Sequence, residues 1–138
     1  MAKPSDIRFL LDTNILSDLI RNPGGRIFEA ITLHGESRVC TSIVVACELR
    51  FGAQKKASNL LSQRVDIILA NLQILPFLEA MDREYADVRN ELESCGKGIG
   101  PNDLLIAAHA RHLDLTLVTA NEKEFRRVPR LRVENWLR

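Results

Sequence analysis

Cysteine is scarce: Cys40, Cys47 and Cys95 are the only three in 138 residues. An odd count with no Cys-x-x-Cys excludes a disulfide framework and a zinc ribbon. Cys40 and Cys47 stand among apolar residues and are expected to be small core side chains. No apolar run approaches the roughly 18 to 20 residues that span a bilayer, so no membrane is expected. Met1 to Asp6 is followed by no long apolar segment or small-residue cleavage site, so no signal peptide is read and cytoplasm is the expected location. The chain has no linker long enough to separate a pair of domains, no internal repeat and no low-complexity tract. A length of 138 residues fits one domain over 1–138. Net charge is only +1, which by itself calls for no nucleic-acid partner. The local balance is uneven: between Asn121 and Arg138 there are six basic residues and three acidic. Such a stretch is either a phosphate-holding patch or a solvated surface.

Apolar runs alternate with helical patterns along the chain. Ile7 to Leu11 reads as a buried parallel strand. Ile15, Leu16, Leu19 and Ile20 share a helical face that Asn22-Pro23-Gly24-Gly25 ends. A short helix is expected over 26–34, a strand over Arg38 to Ser42, and a helix to about Gly52 capped by Thr41 or Ser42. Residues 57–70 read as a helix with Leu60, Leu61, Val65, Ile68 and Leu69 on its apolar side. Leu72 to Phe77 is a strand candidate. Glu79 to Ser94 is a long amphipathic helix with Met81, Tyr85, Val88 and Leu92 inward. Pro101 suits the first turn of the next helix, to about His112. Thr116 to Thr119 is a strand, Asn121-x-x-Glu124 resembles a capping box, and Arg132 to Glu134 is a short edge strand. This alternation predicts a parallel sheet with helices on both faces.

Three acids lie where a carboxylate needs a reason. Asp12 ends an apolar strand, Glu48 follows Ile43-Val44-Val45-Ala46-Cys47, and Asp103 opens Leu104-Leu105-Ile106-Ala107-Ala108. A buried ionised carboxylate is paired, hydrogen-bonded, metal-bound or protonated. Taken singly, Asp12 serves as a helix cap, Glu48 as a surface residue, and Asp103 as a charge that favours the helix dipole. Taken together, three acids converging on one hard cation make a Mg²⁺ or Mn²⁺ site suited to phosphodiester chemistry. Open α/β sheets place their sites at the carboxyl ends of strands, which is where Asp12 and Thr119-Ala120-Asn121 fall.

Other sites fit less well. Gly96 to Gly100 has neither the P-loop order nor Gly-x-Gly-x-x-Gly. No Gly-x-Ser-x-Gly elbow is present. His109 and His112 have a metal-binding spacing but no third soft ligand, which disfavours zinc.

Four ordered blocks resemble the motifs of PIN-domain nucleases: Leu10-Leu11-Asp12-Thr13-Asn14, Glu48-Leu49-Arg50-Phe51-Gly52, Gly100 to Ala110 around Asp103, and Val118-Thr119-Ala120-Asn121-Glu122-Lys123-Glu124-Phe125. The chain is similar in particular to the VapC-type toxins of bacterial toxin–antitoxin pairs, from about residue 7 to its end. The resemblance implies a PIN-like three-layer α/β fold, with a mostly parallel sheet of four to five strands flanked by helices. It implies an endoribonuclease dependent on Mg²⁺, with Mn²⁺ as the substitute, whose catalytic residues are Asp12, Glu48, Asp103 and Asn121. Asp12, Asp103 and Glu48 would ligate the metal, and Thr13, Asn14, Ser42 and Thr119 would support the acids. Asn121 departs from the aspartate of many PIN domains, and Val45 stands where many relatives have threonine. Arg50, Lys97, Arg126 and Arg127 are the candidate RNA-backbone contacts. The implied partners are a structured RNA of the tRNA class, a VapB-like antitoxin, a second copy of the chain, and DNA only through the antitoxin. The rival readings are a haloacid dehalogenase-like phosphatase, which would want Asp-x-Asp where the chain has Asp12-Thr13-Asn14, and an inactive PIN-like binding protein.

Overall fold

The computed structural model describes residues 6–138; the reading of residues 1–5 as lacking a leader lies outside the described residues. The apolar runs become five short strands, β1 (Phe9–Leu11), β2 (Val39–Ser42), β3 (Gln73–Leu75), β4 (Thr116–Val118) and β5 (Val133–Glu134). All four pairings are parallel, in the order β3-β2-β1-β4-β5. The central strands bury both faces, which is why they read as continuous apolar runs. Leu10, Leu11, Cys40 and Leu117 have no exposed surface. The strand register sets Leu11 beside Thr41 on one side and Val118 on the other, so their carboxyl ends share one edge. From β1 the chain builds outward to β2 and β3, then crosses to the far side of β1 for β4. The order therefore reverses between β1 and β4, and the crevice above those two strands is the switch point where α/β sheets bind ligands.

Helices flank the sheet: α1 (Thr13–Arg21), α2 (Arg26–His34), α3 (Ile43–Lys55), α4 (Asn59–Ala70), α5 (Met81–Ser94), α6 (Pro101–His112) and α7 (Glu122–Phe125). A 3-10 turn at Glu36–Arg38 leads into β2. Capping explains most of the boundaries. Ser42 Oγ accepts from Val44 N at 3.0 Å and starts α3, and Ser58 Oγ accepts from Leu61 N at 3.1 Å and starts α4. The helix α3 runs through Gly52 to Lys55, past the expected end, and α4 begins at Asn59 after Ala57 takes a left-handed φ of 51°. The capping box expected at Asn121 does not form. Asn121 holds the N-cap position of α7, but its side chain caps no helix N–H and its Nδ2 instead donates to Glu124 Oε2 at 3.1 Å.

The core closes around Ile15, Leu16, Ile27, Ile106, Leu117 and Phe125, all fully buried. Ala107, Ala108 and Ala110 make α6 slim enough to lie deep in the molecule. Cys40 belongs to this core, and burial pushes its thiol up to about 12. Cys47 does not: the buried face of α3 is Val45, Ala46, Leu49 and Ala53, which turns Cys47 outward. Leu60 is likewise 58% exposed on α4, whose buried residues are Val65 and Leu69. The end of the chain docks on α2, where Trp136 stacks on His34 at 4.7 Å and meets the edge of Phe9 at 5.1 Å.

Arg111 ties α5, α6 and the segment before β5 together. Its side chain is 6% exposed and bonds to Glu84, to Glu91 at 2.8 Å and to the Pro129 carbonyl at 3.1 Å. Removing it takes the guanidinium from Glu84 and leaves Glu91 with Arg130 alone. Arg111→Ala is expected to lose about 2 kcal/mol of stability, read as the shift in a urea unfolding midpoint at unchanged slope.

Candidate active site

Asp12 follows β1 directly and is 4% exposed. Its backbone N–H still donates to Val118 O at 2.9 Å, so the side chain springs from a fully paired strand end. Thr13 N donates to Oδ1 at 2.7 Å, Thr119 Oγ1 donates to Oδ2 at 2.8 Å, and Asn14 Nδ2 reaches Oδ2 at 3.4 Å. Burial raises the carboxyl pKa; the bonds from Thr119 and Thr13 partly offset that, and the Glu48 charge adds to it. Thr119 and Asn14 join β4 to β1 above the switch point, since Asn14 Oδ1 also accepts from Ala120 N at 3.0 Å.

Glu48 comes from the second turn of α3. Its Oε1 accepts from Thr13 Oγ1 at 2.6 Å and its Oε2 from Asn102 Nδ2 at 3.2 Å. Those two donors fix the carboxylate between α1 and the start of α6. Asp103 lies in the first turn of α6, behind Gly100 and Pro101. Burial first, then the charges of Asp12, Glu124 and Glu48, and a hydrogen bond with Glu124, push its carboxyl up to about 7. Asp12, Thr13, Asn14, Glu48, Asp103 and Asn121 line one open cleft of 370 Å³, with Ser17 and Arg21 at its edge.

Two neighbours of the candidate site residues escape a reading of the sequence alone. The spacing pairs Glu124 with Asn121 as a capping motif; in the structure Glu124 bonds both Asn121 and Asp103 and supplies the negative charge that Asn121 lacks. Asn102, next to Asp103, orients Glu48. Their signal is adjacency to a site residue on a short helix start, where side chains two or three apart face the same space.

Other expected residues lie elsewhere or make other bonds. Ser42 bonds Val44 N and His109 Nδ1, the latter at 2.7 Å, rather than an acid. His109 is fully buried, and burial pushes its pKa down to about 4. Its Nδ1 is thus committed to Ser42 while His112 lies 3.8 Å from Glu84, so the two histidines share no ligand position. Arg50 is engaged by Asp66 at 2.6 Å. Arg127 donates to Gly98 O at 3.3 Å, beside Lys97. The C-terminal basic stretch is largely neutralised: Arg126 and Arg138 meet Glu122, Arg130 meets Glu91, and Arg132 meets Asp114.

The oxygens around the cleft are those of carboxylates, amides and hydroxyls, with no histidine or cysteine among the described residues that line it. Such a set fits a hard divalent cation. Among the described residues no group of three histidine, cysteine, aspartate or glutamate side chains is close enough to hold an ion by itself. Asp103, crowded by three carboxylates, is the group such an ion would relieve.

The model of the PIN domain matches residues 9–131, and the chain belongs to that family. Within it the likeness is to VapC ribonucleases, and the chain is a ribonuclease of that type. It is 38% identical over 130 residues to Ribonuclease VapC2 of Rickettsia felis, covering 93% of this chain and 97% of that protein. It is 35% identical over 133 residues to the tRNA(fMet)-specific endonuclease VapC of Shigella flexneri, covering 94% and 98%. The crystal structure of VapBC2 from Rickettsia felis bound to a promoter DNA fragment contains a chain that superposes with a TM-score of 0.88 at 37% identity, covering 94% of this chain and 99% of that one. The DNA-bound VapBC structure from Salmonella typhimurium gives 0.84 at 33%, covering 94% and 98%. Family and enzyme class together leave the phosphatase and binding-only readings without support.

Proposed function

We propose that the chain is a single PIN domain acting as a Mg²⁺-dependent endoribonuclease toxin, with Mn²⁺ as substitute, that hydrolyses a structured RNA of the tRNA class and so inhibits translation. The observation that carries this reading is the convergence of Asp12, Glu48 and Asp103, from three distant stretches of the chain, on one cleft at the sheet's switch point. Asp12 and Asp103 would hold the ion, with Glu48 and Asn121 beside it. A bound divalent ion would neutralise charge on the scissile phosphate and make a water more acidic. Glu48, fixed by Thr13 and Asn102, is placed to take the proton of the attacking water. Attack at phosphorus with loss of the P–O3′ bond leaves a 5′-phosphate and a 3′-hydroxyl. The cleft is open, so a single-stranded loop with unstacked bases is the form of RNA that enters it.

The Shigella flexneri relative supports a tRNA substrate, and the VapBC complexes support an antitoxin partner that reaches DNA on the toxin's behalf. A homodimer through α3 and α4 is favoured by Phe51, Leu60 and Ile67, which are 65%, 58% and 61% exposed on those helices. Large apolar side chains exposed on two packed helices are the kind of surface that a partner covers. No helix among the described residues is long and apolar enough to cross a membrane, and we place the protein in the cytoplasm. The test is incubation of purified, antitoxin-free protein with total bacterial RNA, with Mg²⁺ and with EDTA, followed by mapping of new 5′ ends. Discrete metal-dependent cuts in a tRNA are expected; intact RNA from metal-bound, folded protein would reject the reading.

A further inference from the structure

A second groove of 210 Å³ opens from the acid cleft, sharing Thr13, Ser17, Arg21 and Glu48 with it and running between α1 and the α3–α4 pair. Two features of this groove bear on what it holds. The first is Gly52, inside α3. Its backbone is not left-handed, and a Cβ built there meets nothing within 4 Å. Neither conformation nor packing requires glycine, and alanine would make the helix more stable. The space that Gly52 leaves open belongs to the groove. The second is its charge. Arg21 and Lys56 line the groove, and Glu48 at its head is the single acid among the lining residues. Arg21 is 67% exposed and its only ion pair among the described residues is a long one of 3.8 Å to Asp18. Lys56 makes no ion pair among the described residues.

Resting on the nuclease reading, we propose that the groove past Gly52 carries the sugar–phosphate backbone of the RNA strand away from the scissile bond, with Arg21 and Lys56 as its phosphate contacts. A strand leaving four carboxylates needs positive charge at once, and Arg21 is the one base among the described residues that line the cleft. The groove is lined by Ile20, Leu49, Leu61 and Val65 and by no aromatic ring. It therefore offers no platform for stacking bases, and recognition here is of the backbone, tolerant of sequence. A basic peptide segment would meet two like charges in the same place.

The test uses Asp12→Asn protein, so that RNA is bound without being cut, and a fluorescein-labelled oligouridylate as probe. Adding Arg21→Ala and Lys56→Ala is expected to weaken binding about tenfold at about 50 mM salt. The slope of log affinity against log salt between about 50 and 200 mM should fall by about 1.4, or ~0.7 for each phosphate released from a single strand. Gly52→Leu should weaken binding with the slope unchanged, and Gly52→Ala, the milder filling, should fall between. An unchanged slope in the double variant, or native affinity in Gly52→Leu, overturns the proposal. So does a loss of binding to a basic peptide in place of RNA, which would give the groove to a protein partner. The nuclease reading is judged apart from this: metal-dependent cuts with an unchanged slope keep the nuclease and discard the groove, and a changed slope without cuts does the reverse.

Discussion

Asp12→Asn protein is expected to fold as the native chain does and to cut RNA on the order of 10³-fold more slowly. The substitution is nearly isosteric. Asn Oδ1 still accepts the N–H of Thr13 that Asp12 Oδ1 accepts at 2.7 Å, so α1 keeps its cap. The new Nδ2 faces Thr119 Oγ1, now a donor at 2.8 Å; that hydroxyl accepts from Asn121 N at 2.9 Å and has a second lone pair for the amide once its proton turns away, at the cost of the long 3.4 Å contacts of Asn14 Nδ2. Burial already raises the Asp12 pKa, so removing the charge relieves the fold rather than straining it. What is lost is an anionic oxygen at the centre of the cleft. Thermal melts and end-mapped cleavage on the same preparation check both halves. Native cleavage rates in the variant would remove Asp12 from the chemistry. A collapsed melt would show that the carboxylate serves the fold.

Much of this site is legible because its acids interrupt apolar runs. Asp12 stands one residue past β1, and the run before it is apolar because β1 is central and covered on both faces. Glu48 and Asp103 are legible by context and order, and their meeting is not. Bringing them together depends on strand order, which long-range pairing sets and which no local pattern encodes. Linear neighbourhood also misleads. Cys47 sits among apolar residues in sequence, yet a helix turns consecutive residues to different sides, and its buried partners on α3 are Val45, Ala46, Leu49 and Ala53. The basic C-terminal stretch misleads for a related reason: a charge count cannot see that Glu91, Asp114 and Glu122 take up most of those arginines. Asn121 and Glu124 have the spacing of a cap and use it for each other, with Asn121 Nδ2 donating to Glu124 Oε2 rather than capping a backbone N–H.

The burial and crowding of Asp103 lead to a pH dependence of known sign. Asp103 titrates at about 7 in the folded chain, against 3.8 for an ordinary aspartate. Below about pH 4 both folded and unfolded states hold the proton, and the stability is fully present. As pH rises from there to about 7, the unfolded chain releases the proton while the folded one keeps it, and stability is lost. Above about 7 the loss is complete. Glu91 and Glu122, held low by their donors and arginines, work in the opposite sense, so the clean quantity is the difference between native and Asp103→Asn protein. In metal-free buffer the variant is expected to be the more stable, by a margin that opens between about pH 4 and pH 7 and then stays flat. Asp103 is only half-buried and screened by solvent, so the margin is on the order of 1 kcal/mol, roughly 4 °C in Tm. A divalent ion competes with the proton, so Mn²⁺ should raise the melting temperature of the native chain more at pH 8 than at pH 5 and leave Asp103→Asn nearly unmoved. A native chain as stable as the variant at pH 8 without metal would mean that Asp12, Glu48 and Glu124 do not crowd Asp103. An equal response to Mn²⁺ in both proteins would mean that the ion sits somewhere else.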